Sequence, residues 1–125
     1  MIGYVTIGAL NVEDAMPFYD AVLGAIGYER QFFDSGWAGY GPKGQDANTF
    51  LCPPFDGQQA RGGNGIMIAF RGPDKAAVDA AYAAALAFGG VDEGAPGPRP
   101  ADSTTFYGAY VRDATGNKIA IFTRP

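Results

Sequence analysis

Two residues suited to capping a helix, Asn11 and Asp74, stand 63 positions apart, and the same offset pairs Tyr4 with Met67, Tyr19 with Tyr82, Leu23 with Leu86 and Gly27 with Gly90. Within 125 residues, a repeat of that period reads as two copies of one module. In "YVTIG", residues 4 to 8, alternation sets Val5 and Ile7 on one face and Tyr4 and Thr6 on the other, as in a half-buried strand. Asn11 then caps a helix, with Asp14 three residues on and Val12, Met16, Tyr19, Leu23 and Ile26 at steps of 3 or 4. Its end is expected between Gly24 and Gly27. Pro17 lacks an N–H, so either the first turn is distorted or the regular helix begins near Pro17.

The second copy has the same grammar. Ile66, Ile68 and Phe70 alternate with Met67 and Ala69, Asp74 takes the cap, and Val78, Tyr82, Ala85 and Phe88 follow at helical spacing. Further strand-like runs lie at about 28 to 33, 37 to 41 and 48 to 52, and at about 91 to 94, 105 to 112 and 117 to 123. "DATGN" at 113 to 117 joins the last two as a hairpin, Gly116 supplying a positive φ. Each copy therefore reads βαβββ. The expected organisation is an α+β single domain over 1–125, with module one at about 1–56 and module two at about 64–125.

Composition limits the chemistry. The chain has no histidine and a single cysteine, Cys52. His-dependent triads and His-containing metal sites are excluded, no intrachain disulfide can form, and Cys52 is read as structural. The 13 Asp and Glu residues show no EF-hand spacing, and no GxGxxG or GxxxxGK pattern follows a strand. With a net charge of −4 and nine scattered Lys and Arg residues, there is no footprint for a phosphate backbone, so no nucleic acid is expected. Apolar runs are shorter than the roughly 20 residues of a membrane helix, and the N-terminus has no basic region followed by an apolar core. A cytoplasmic protein without a membrane partner is the expectation.

The ordered segments "YVTIG", "FYDAVLGAIGY", "YGPKG", "GIMIAF", "PGPRP" and "FYGAYVRDATGNKIAIF" together resemble the vicinal oxygen chelate superfamily, which includes glyoxalases, bleomycin resistance proteins and dioxygenases. The resemblance covers essentially the whole chain. It implies curved mixed sheets with helices on the convex side, a cup on the concave side, and a homodimer. It also implies metal ligands, a His, a second His and a Glu, at positions that here hold Tyr4, Met67 and Ala120 respectively. A phenol of pKa about 10 is a poor ligand for the family's divalent metals, a thioether suits soft ions, and a methyl group offers nothing. No metal and no other cofactor is expected.

Alternation places Tyr4, Met67 and Ala120 together on the face opposite Val5, Ile7, Ile66, Ile68, Ile119 and Ile121. They are expected to line one cup, or else to fill the volume that a metal occupies in relatives. Trp37, Tyr40, Phe50, Phe106, Tyr107 and Tyr110 fall on the strands of its walls, where alternation allows about half of them to face inwards. Arg99, stiffened by prolines on both sides, either offers its fork to a ligand carboxylate or carbonyl or pairs with Asp102 at the surface. Three readings follow: a protein that binds a small amphipathic or aromatic molecule in a metal-free cup, a metal-independent lyase or isomerase, and a structural or regulatory dimer with a filled cup. The first is preferred, and the acidic net charge suits a cationic ligand.

Overall fold

The computed structural model describes all 125 residues. Module one contains β1 (Val5–Gly8), α1 (Val12–Gly24), β2 (Tyr28–Asp34), β3 (Trp37–Pro42) and β4 (Thr49–Cys52). Module two contains β5 (Ile68–Arg71), α2 (Lys75–Ala87), β6 (Val91–Pro98), β7 (Tyr107–Arg112) and β8 (Lys118–Thr123). The 63-residue offset carries β1 onto β5, α1 onto α2 and the start of β2 onto the start of β6. Thereafter module two is longer. The two-residue turn between β2 and β3 is replaced by residues 99–106 between β6 and β7.

Both helices begin where the capping chemistry requires. The Asn11 side chain accepts from the Asp14 N–H at 3.1 Å, and that of Asp74 accepts from the Ala77 N–H at 2.8 Å. Pro17 lies inside a continuous α1. Its missing N–H deprives the carbonyl of Glu13, an exposed first-turn residue, so the loss falls where water can replace the bond. Of the two expectations, neither a late start nor a broken first turn is needed. The strand of module two starts at Ile68 rather than Ile66, which is exposed and lies outside β5.

Each module forms a mixed four-stranded sheet, in the orders β1-β4-β3-β2 and β5-β8-β7-β6. The first and last strands of each module pair in parallel, and the other pairs are antiparallel. One face of each sheet packs on its helix, and α1 also packs on α2. Between them lies one core that includes Tyr19, Val22 and Leu23 of α1, Val78 and Ala81 of α2, and Ile119 and Ile121 of β8. The opposite face of each sheet carries no helix. No helix is long and apolar enough to cross a membrane.

The modules are also tied by a polar hub in the hairpin between β7 and β8. Asp113, nearly buried, accepts from the N–H groups of Thr115 and Asn117, from the Asn117 side chain, and from the Tyr19 hydroxyl of α1 at 2.6 Å. Asn117 donates onward to the carbonyl of Gly8 in β1 at 2.8 Å. Burial first, and the Asp113 carboxylate second, push the Tyr19 phenol well above its ordinary pKa.

Candidate functional site

Two clefts open along the seam between the edge strands β1 and β5, which are not paired with one another. Tyr4, Met67, Ile68 and Ala69 line one cleft there, of about 340 Å³. Met67 also lines a smaller adjoining cavity of about 80 Å³ with Thr6 and Lys118. Tyr4 and Met67 are thus brought together, at 63% and 43% exposure. Ala120 shares their face, since its parallel partner is Ala69, two residues beyond Met67. At 2% exposure it lines neither cavity.

From the seam, the first sheet carries a shelf of rings. Tyr4 meets Phe50 edge to face at 5.5 Å, and Phe32 and Trp37 tilt against Phe50 at 6.1 and 6.2 Å. Gly39 makes the shelf possible, because a Cβ there would collide with the Phe32 ring. A register shift between Arg30 and Phe32 brings Phe32 opposite Gly39. Simple alternation along β2 does not foresee that placement.

The second sheet carries a different surface. Tyr110, opposite Ala120, lies beneath two cations, Arg99 with its guanidinium carbon 5.5 Å from the ring centre and Lys118 with its Nζ at 5.9 Å. Arg99 also donates to the Ala95 carbonyl at 2.6 Å and lies over Gly94 and Gly97, where added Cβ atoms would crowd it. Its contacts are therefore with β6 and Tyr110. Neither Asp102 nor any other carboxylate forms an ion pair with it. Phe106 stacks on Phe122 at 5.6 Å, with the Arg124 guanidinium within 5.9 Å of both rings.

Two expected wall residues belong elsewhere. Tyr40 is fully buried on the helix side of β3, donating to Asp20 of α1 at 2.8 Å, and burial followed by that bond pushes its phenol well up. Tyr107 donates to Asp79 of α2 at 2.6 Å, under the Lys75 ammonium, so it too faces the helix layer. Trp37, Phe50, Phe106 and Tyr110 keep the open face. Sequence reasoning missed Lys118 and Phe122, although alternation with the buried Ile119 and Ile121 puts both on that face.

Burial raises the Cys52 thiol, which keeps it protonated and poorly nucleophilic. No three His, Cys, Asp or Glu side chains are grouped so as to hold a metal ion. At Tyr4, Met67 and Ala120, the residue types themselves do not fit the divalent ion that the fold implies.

Comparison with known proteins agrees with the geometry. The sequence profile of the Glyoxalase/Bleomycin resistance protein/Dioxygenase superfamily matches residues 1–121. Among solved structures, a glyoxalase/bleomycin resistance protein from Albidiferax ferrireducens T118 is 33% identical, with 98% of each chain covered and a TM-score of 0.86. A glyoxalase/bleomycin resistance protein/dioxygenase family enzyme from Burkholderia phytofirmans PsJN, 19% identical, covers 99% of this chain and 98% of its own, with a TM-score of 0.73. A glyoxalase-related enzyme from Fulvimarina pelagi, 17% identical, covers 100% of this chain and 88% of its own, with a TM-score of 0.75. Comparison with curated proteins gives no match. With its duplicated βαβββ fold and a profile match running nearly end to end, this chain belongs to the glyoxalase/bleomycin resistance protein/dioxygenase superfamily.

Proposed function

We propose that the protein binds a small, partly aromatic molecule directly on the open face of its sheets, around Tyr4 and Met67, with no metal ion between protein and ligand. The observation that carries this reading is the ring shelf. Tyr4, Phe32 and Trp37 remain 63%, 40% and 41% exposed around Phe50, although the chain has a helix layer in which to bury aromatic residues. A contiguous exposed apolar patch is a common mark of an interaction surface. A second support is chemical. At the three positions where the family's metal ligands are implied, the chain offers a phenol, a thioether and a methyl group, which suit contact with an organic ligand better than charge donation to a divalent ion.

Tyr4 makes the reading testable. Its ring supplies apolar contact and its hydroxyl one directional hydrogen bond, worth about 1 kcal/mol net. Tyr4→Phe is expected to weaken binding roughly fivefold while the fold is kept, because only the hydroxyl is removed. The check is calorimetry with the compound that co-purifies, once native mass spectrometry has identified it. Unchanged affinity in both Tyr4→Phe and Tyr4→Ala would rule this face out as the binding surface.

A further inference from the structure

We infer that the ligand is a planar aromatic anion, its rings on the shelf of the first sheet and its negative group held by the cations of the second. This rests on the proposed small-molecule site and adds the ligand's charge. The net charge of −4 suits a cationic ligand, but it is an average over the chain and the open face departs from it. Arg99, Arg112, Lys118 and Arg124 all belong to the second sheet's open face or its margin, four of the chain's nine basic residues. Only Arg112 has a carboxylate partner there, Glu93. The other three rest on aromatic rings, an arrangement that holds the cation in place without neutralising it.

The cations are also well placed relative to the shelf. Lys118 lines the seam cavity with Met67 and with Thr6 of β1, and Met67 shares the adjoining cleft with Tyr4, so one cation reaches the gap between β1 and β5. Glu29 and Asp34, opposite Gly41 and Trp37, stand on β2, the strand of the first sheet furthest from that seam. An elongated planar molecule lying across the seam would thus meet rings at one end and positive charge at the other. Tyr110, between Arg99 and Lys118, holds both heads on the same part of the sheet. A carboxylate there would gain charge-assisted bonds without displacing an existing ion pair.

Three naphthalene probes of matched shape separate the possibilities: 2-naphthoate, its neutral amide and 2-naphthylmethylamine. Each would be titrated into the full chain by calorimetry, with the emission of Trp37, the only tryptophan, as a second readout. The expected result is that 2-naphthoate binds about tenfold more tightly than the amide, the amine binds most weakly, and added salt erodes the advantage of the anion. Lys118→Gln should weaken 2-naphthoate roughly fivefold and leave the amide within about twofold, since only the charge is lost. Lys118 has no ion pair and one cation–π contact, so the variant is expected to fold. Equal binding of anion and amide, or an unchanged ratio in Lys118→Gln, would overturn the charge assignment while leaving the ring shelf as a binding surface. Binding by none of the three at millimolar concentration would overturn the charge assignment and the small-molecule reading together.

Discussion

Asp113→Ala is expected to cost about 3 kcal/mol of folding stability or more. The loss is large because one nearly buried carboxylate serves four donors in two modules. Alanine leaves the fully buried Tyr19 hydroxyl without its acceptor and frees Asn117, whose side chain is also bonded to β1. Tyr19→Phe is the milder control, expected to lose about 1.5–3 kcal/mol, because it removes one charge-assisted bond and leaves Asp113 its other partners. Urea denaturation followed by circular dichroism measures both. A loss below about 1 kcal/mol for Asp113→Ala would show that the hub does not join the modules.

The same pair predicts an alkaline transition. Burial and the Asp113 carboxylate raise the Tyr19 phenol in the folded state, so folding favours the protonated form. That stabilisation is fully present below the unfolded phenol pKa of about 10 and is lost as the pH rises from there through the folded value. Stability should therefore fall as the pH rises beyond about 10, and less steeply in Tyr19→Phe than in the parent.

The fold was legible because its signals are local and occur twice. Asn11 and Asp74 cap their helices as the 63-residue offset implies, and the strands beside them alternate regularly. The site was legible only in part, and the residues that failed show why. Tyr40 and Trp37 both sit on β3, in opposite phases, and among glycines hydropathy does not say which one faces the helices. Tertiary contacts decide it, through the buried Ala38 and the bond from Tyr40 to Asp20. Tyr107 was decidable, since it shares its phase with Ala109 and Val111, both fully buried. Phe32 was not, because a bulge shifts the phase of β2. Arg99 depends on the longer connection of module two, which no property of module one anticipates.

The second large effect is a gain of function. Tyr4→His, Met67→His and Ala120→Glu together restore the donor types that the family resemblance implies, and the triple variant is expected to take up zinc with micromolar affinity or better. The geometry permits it. Tyr4 and Met67 line one cleft, and Ala120 is the register partner of Ala69 on the same face. Because Ala120 is 2% exposed, the glutamate alone should destabilise the metal-free variant, and zinc should recover that stability. Calorimetry with zinc and melting curves with and without it measure the two halves. A folded triple variant with no zinc affinity would mean that the three positions do not converge.

If this open face takes an organic ligand without a metal, the ligand should travel with the protein and no metal should. Elemental analysis combined with native mass spectrometry, on untagged protein purified without chelators, tests it most directly. The expected result is an organic mass released from the native protein and no stoichiometric zinc, nickel, iron or manganese. One tightly held ion per chain would contradict it.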